Sequence, residues 1–142
     1  MPVRARAQAT LLIIVSLALA ACSRPASPGG ATAQAVRVTD VNLGRSLNAD
    51  KTVGGTTDSF RPADTIYASV VTDGSSSNAT LKARWTYQDG QPVDESVQTI
   101  APTGKATTEF HVSKPDGWPA GKYKVEISLN GAPAVTKDFE VK

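Results

Sequence analysis

From residue 36 onward, apolar and polar side chains alternate with a period of two, and this rhythm constrains the fold more than any other feature of the chain. Successive side chains on a pleated strand point to opposite faces, so a period of two marks strands buried on one side only. Residues 80–87 show it most cleanly, with Leu81, Ala83, Trp85 and Tyr87 alternating with Thr80, Lys82, Arg84 and Thr86. Residues 122–129 repeat the pattern. Residues 65–71 place Ile66, Ala68 and Val70 inward, 106–113 place Thr108, Phe110 and Val112 inward, and 135–141 bury Phe139 and Val141. A broken strand near 36–43 and a weak one near 93–100 bring the expected total to seven. No helical period of useful length follows the first 35 residues.

The pairs Asp73-Gly74, Asp89-Gly90 and Asn130-Gly131 fall between these runs, and such pairs mark tight turns. Asn130-Gly131 predicts that the last two strands form a hairpin. Seven short strands with turn signals at this spacing predict an all-β fold, a single antiparallel β-sandwich over residues 36–142. Two aromatic residues then make the domain resemble the immunoglobulin-like family. Trp85 sits on the third strand, where such domains bury a tryptophan, and Tyr123 opens the sixth strand after Pro119-Ala120-Gly121-Lys122, which resembles a tyrosine corner. The inter-sheet cysteine of the antibody-type pattern would fall two residues further on, where this chain has Val125, so the resemblance carries the architecture without the disulfide. The segment 117–123 (GWPAGKY) with Phe139-Glu140-Val141 also looks like the C-terminal half of bacterial immunoglobulin-like modules, and a fibronectin III-like arrangement fits the same cues.

The N-terminus is of another kind. Residues 1–10 carry Arg4 and Arg6 and no acid, and 11–21 (LLIIVSLALAA) form an apolar run broken only by Ser16. A bilayer-spanning helix needs about 20 apolar residues, so the run is too short to span and reads as an export signal. Leu19-Ala20-Ala21-Cys22 then resembles the lipobox of bacterial lipoprotein precursors. The resemblance implies cleavage between Ala21 and Cys22, and acylation of Cys22, palmitate included, as the new first residue. Each buried methylene of an acyl chain adds about 0.8 kcal/mol to the attachment, so several chains together hold firmly. Cys22 is the chain's only cysteine, so it has no disulfide partner within the chain. Ser23 in the next position, where an aspartate would imply retention in the inner membrane, implies the outer membrane and a domain facing the periplasm. Residues 22–35 are small, with two prolines and a glycine pair, and read as a flexible tether of about 20 Å.

Charge narrows the function. The chain has 15 Lys and Arg against 13 Asp and Glu, and loss of residues 1–21 with Arg4 and Arg6 leaves 13 of each. A neutral mature domain carries no bulk basic footprint for nucleic acid. His111 is the only histidine, and alternation places it outward beside Glu109. One histidine, one methionine and an acylated cysteine do not assemble a zinc or copper site, and Asp94-Glu95 on a strand point to opposite faces. No phosphate loop or serine elbow occurs, and no catalytic residue, metal or cofactor is expected.

Three features are candidates for an interaction surface. If the third, sixth and seventh strands share a sheet, its outer face carries Lys82, Arg84, Lys122 and Lys124. That is either a basic docking patch for an anionic partner or half of a charge ladder against Glu126, Asp138 and Glu140. Trp118, in the turn-rich crossing 114–119, is either an exposed contact or a cap on the end of the sandwich. The long polar connection 44–59 (GRSLNADKTVGGTTDS) has a Gly54-Gly55 pair and threonines that favour mobility, with Leu47 and Val53 able to pin it. The sequence therefore predicts a non-catalytic interaction module, anchored in the bilayer through acylated Cys22, that displays loops or a sheet face to an envelope protein or a glycan. A subunit that assembles by edge-strand pairing, with 93–100 as the place to look, is the alternative. A small hydrolytic enzyme is the third reading, and it would need a deep cleft around Glu109 and His111.

Overall fold

The computed structural model describes residues 34–142 and contains eight strands and no helix among them. They are β1 (Arg37–Gly44), β2 (Ser59–Phe60), β3 (Ile66–Asp73), β4 (Ala79–Tyr87), β5 (Gln91–Ile100), β6 (Ala106–Val112), β7 (Gly121–Leu129) and β8 (Ala132–Val141). A three-stranded sheet in the order β1-β3-β6 faces a five-stranded sheet in the order β2-β8-β7-β4-β5. Every pairing is antiparallel except the short parallel contact of β2 with β8. The assignments made for residues 1–21, for Cys22 and for the tether up to residue 33 lie outside the described residues.

The alternation seen in the sequence becomes the core. Leu81, Ala83 and Trp85 of β4, Val125 and Ile127 of β7, and Ile66, Ala68 and Val70 of β3 are fully buried between the sheets. Tyr123, Phe139, Phe60 and Trp85 form an aromatic cluster centred on Phe139. Its ring stacks on Tyr123 at 5.3 Å between centroids and meets Phe60 and Trp85 near-perpendicularly at 5.6 and 5.9 Å. Such geometries add about 0.5–1.5 kcal/mol per pair beyond the area buried.

Several local predictions take definite shape. Asn130 and Gly131 both have positive φ, at 50° and 82°, and join Leu129 to Ala132 as the two-residue hairpin loop. The last strand therefore starts at Ala132 and not at 135, because Ala132-Pro133-Ala134 lack any apolar alternation that would have revealed them. β2 is the one additional strand, two residues long and too short to show a period. The described chain is already packed at its first residues. Gln34 and Ala35 pack on the β3–β4 turn, where Ser75 N donates to Gln34 O at 2.8 Å and Ala35 bridges Ser75. Gly74, at φ 111°, is required there, since a Cβ would lie 2.6 Å from the Ala35 carbonyl oxygen.

The connection 44–59 folds back on itself. Leu47 bridges Val53, Lys51 N donates to Asn48 O, and Asn48 N donates to Thr52 O, which closes a small hairpin with Lys51 at φ 66°. Asp50 caps the tip through the Thr52 hydroxyl and amide, and these bonds hold its carboxyl below the usual range.

The tyrosine corner is present. Tyr123 Oη donates to Pro119 O at 2.6 Å, and the residue is buried. Burial, with the neighbouring Tyr87 adding to it, pushes the Tyr123 hydroxyl above its ordinary 10.0. The folded protein thus holds that proton more tightly than the unfolded chain. The stabilisation is whole below pH 10 and is lost as the pH rises through the raised value. Tyr123→Phe is expected to lower stability by about 0.5–1.5 kcal/mol at neutral pH, the net worth of one hydrogen bond. It should also flatten the loss of stability above pH 10, as read by urea denaturation across pH 7–11.

Candidate functional site

The third, sixth and seventh predicted strands, now β4, β7 and β8, are consecutive in the five-stranded sheet. Their outward residues share one face because β4, β7 and β8 run in register. Arg84 stands opposite Glu126 and, on its other side, opposite Glu95 of β5. Lys124 stands opposite Asp138, with Nζ 3.7 Å from Oδ1, and Lys122 stands opposite Glu140. Lys82 reaches Glu95 at 3.7 Å, and Glu140 is taken by Lys142 at 2.6 Å. Lys82, Arg84, Lys122 and Lys124 thus come together on one face, but each is set beside a carboxylate. The result is a ladder of mixed sign. Beside it, a shallow concavity of about 790 Å³ is lined by Asp58, Asp89, Asp138 and Glu140 against Lys122 and Lys124, and its carboxylates outnumber its lysines.

Of the two readings of Trp118, the structure shows the cap and not the exposed contact. The residue is 2% exposed, its Nε1 donates to Asp64 O at 2.9 Å, and its ring stands edge-on to Tyr123 at 5.5 Å. The Trp118 amide also donates to Pro62 O at 2.7 Å. It closes the end of the sandwich and offers no surface to a partner, because the bend after β2 folds over it.

His111 and Glu109 lie on the outer face of the three-stranded sheet, hydrogen-bonded to each other through Nδ1 and Oε1. The His111 ring leans on Tyr67 at 5.7 Å, and its side chain is 60% exposed. His111 lines an open concavity of about 380 Å³ together with Val93, Asp94 and Lys114. Among the described residues no cluster of His, Cys, Asp and Glu is placed to hold a metal ion.

The feature with the most distinct character is a strand edge. An edge strand presents unpaired N–H and C=O groups, and proteins usually blunt it with charge, proline, bulges or a very short edge. β2, at one margin of the five-stranded sheet, is two residues long. β1 carries a bulge at Thr39, and the Asp40 carboxylate accepts from the Val41 amide at 2.9 Å. On β6 the Glu109 carbonyl is occupied by Gln98 Nε2 at 2.6 Å. β5 is different. It is ten residues long and pairs only with β4. Its first half is blunted by Pro92, by the register shift at Val93 and by Asp94 and Glu95. Its second half, residues 96–100 (SVQTI), carries no charge, and Val97 is the one large hydrophobic side chain exposed among the described residues, at 56%. The sequence pattern predicts a strand near 93–100, but its edge position depends on non-local pairing that no local pattern records.

Comparison of the sequence with protein families and with curated proteins finds no match. Among solved structures, the fold is similar to an immunoglobulin-like protein from Pseudomonas aeruginosa, with a TM-score of 0.51 and 13% identity over 78% of this chain and 99% of that one. It is also similar to part of the Pseudomonas fluorescens alkylpurine DNA glycosylase AlkC bound to DNA containing an abasic site analog, with a TM-score of 0.50 and 12% identity over 75% of this chain. The chain spans about 30% of that glycosylase's length. At these identities the likeness is one of fold, and the described domain is an immunoglobulin-like β-sandwich.

The ladder makes a direct prediction. Arg84→Glu sets three carboxylates in one row across β5, β4 and β7, and is expected to cost about 1–2 kcal/mol, against less than about 1 for Arg84→Ala. The gap between the two should shrink in 1 M salt, where the screening length falls to about 3 Å, as thermal or urea unfolding will read.

Proposed function

We propose that the chain is a lipid-anchored protein of the bacterial cell envelope whose immunoglobulin-like domain acts by binding and not by catalysis. Its docking element is the open edge of β5. The observation that carries this reading is the contrast among the edges: β1 is bulged, β2 is two residues long and β6 has its Glu109 carbonyl occupied, whereas residues 96–100 of β5 carry no charge and pair with β4 alone. Strand addition to such an edge draws affinity from main-chain hydrogen bonds and specificity from the side chains that alternate along it. The charged outer face contributes solubility and register, since its cations already stand beside carboxylates.

Anchoring is supported by the basic start, the short apolar run and Leu19-Ala20-Ala21-Cys22, with the outer membrane and a periplasm-facing domain following from Ser23. An acylated Cys22 would hold the domain near the bilayer, where envelope proteins and glycans are both within reach.

The test uses the full chain in native envelope membranes. A photoreactive residue at Thr99 on β5 is expected to crosslink a defined protein partner, and the same residue at Thr136 on β8 is not. Val97→Lys, at an exposed position, should abolish the Thr99 crosslink with the fold verified by thermal unfolding, while Lys122→Ala should leave it in place. Cys22→Ala should lose palmitate incorporation and release the protein from the membrane fraction. Equal crosslinking at both positions, or indifference to Val97→Lys, would remove the β5 edge as the docking element.

A further inference from the structure

The β5 edge has a property that narrows its partner: it is complementary to itself. Building on the docking reading above, we infer that the partner is a second copy of this chain, joined by antiparallel pairing of the two β5 edges about a two-fold axis at Val97.

In an isologous contact the same patch meets itself, so each residue must suit the one that the axis sets opposite it. With the axis at Val97, Val97 meets Val97 of the second copy, Ser96 meets Gln98, Glu95 meets Thr99 and Asp94 meets Ile100. No carboxylate faces a carboxylate. The two Glu95 side chains fall about 14 Å apart along the strands, four residues at about 3.4 Å each. Moving the axis to Glu95 would oppose the two carboxylates directly, and moving it to Ser96 would set each Val97 against a Glu95. Like charges directly opposite are destabilising, and an apolar residue gains most from an apolar one.

The outer face agrees. Val97 lies opposite Lys82, and Glu95 lies opposite Arg84, so Glu95, Val97 and Thr99 are on the side of the sheet that faces away from the core. Self-pairing covers Val97, the exposed apolar side chain, with its own equivalent. It also leaves the Lys82–Glu95 ion pair of each copy intact. The inward side is held ready, because Gln98 is already tied to the Glu109 carbonyl of β6 and stays clear of the edge. The product is one continuous ten-stranded sheet, two copies of the five-stranded sheet joined at β5. The contact is a strand edge and not a broad face, so it is a weak association in dilute solution. Tethering both copies to one bilayer raises their effective concentration and favours it.

The test reads register. In the full chain in its membrane, where an acylated Cys22 offers no free thiol, single cysteines are introduced at Glu95, Val97 or Thr99, and a short thiol crosslinker is added. Val97→Cys is expected to give covalent dimer. Glu95→Cys alone and Thr99→Cys alone should give at least tenfold less, whereas a mixture of the two should recover the Val97 yield. Sedimentation of the unmodified full chain in detergent should show a concentration-dependent dimer that Val97→Lys abolishes. Equal yields at all three positions, or a monomer at every concentration with no Val97→Cys dimer, would overturn self-pairing. In that event, a membrane crosslink from Thr99 that still vanishes with Val97→Lys would leave the docking edge standing with a different partner, and its survival would remove both.

Discussion

Four strands of the five-stranded sheet meet in one aromatic cluster, Phe60 from β2, Phe139 from β8, Tyr123 from β7 and Trp85 from β4, and the rest of the sandwich is arranged around it. With Val125 where an immunoglobulin-like domain often has a cysteine, no covalent bridge joins the sheets through that position. Apolar packing joins them instead, with Val41, Ile66, Val70 and Phe110 of the three-stranded sheet in one core with Trp85, Val125 and Ile127 of the five-stranded one. Phe139 touches the other three, Trp118 leans edge-on against Tyr123, and the Tyr123 hydroxyl ties the cluster to the Pro119 carbonyl. Removal of the Phe139 ring would leave the other three without a partner on one side, which is how large core truncations reach about 3–5 kcal/mol.

β5 contributes no ring to this cluster. Only Val93 and Ile100 of the strand pack against the core, and its other side chains are exposed or half-exposed. The same constraint that makes β2, β8, β7 and β4 a rigid unit therefore leaves β5 as an appendage, held by its ladder to β4 and by the bond from Gln98 to β6. A strand in that position can be a docking edge without disturbing the core, since its outer groups are not used for stability. The charged ladder on the outer face plays the complementary part. It fixes the register of β4, β7 and β8 and surrounds the single apolar side chain, Val97, with polar neighbours.

Much of this was legible in the sequence wherever the information is local. Alternation is a property of consecutive residues, so residues 80–87 and 122–129 revealed both their strand character and their buried faces. Asn130-Gly131 revealed its turn because positive φ selects those residue types. Legibility failed where position depends on distant partners. β2 is a strand only because β8 lies beside it, and two residues cannot show a period. The hairpin at 46–54 escaped notice because its left-handed residue is Lys51, a type that gives no hint of positive φ. Trp118 is buried by the bend after β2, some 54 residues before it in the chain at Asp64. The openness of β5 belongs to the same class, because an edge is defined by the strand that is missing. The charge ladder was half legible, since alternation named its members but only the register shows which of them face each other.

The account stands or falls on the outer amides of β5. Backbone hydrogen exchange, measured on the intact protein in its membrane and again after dispersion and dilution in detergent, reads them directly. Alternate amides of residues 96–100 point away from β4 and should exchange quickly when the protein is dispersed and slowly in the membrane, while β4, β7 and β1 stay unchanged. Rates along β5 that are the same in both states would mean that nothing pairs with this edge, and would contradict the account at its centre.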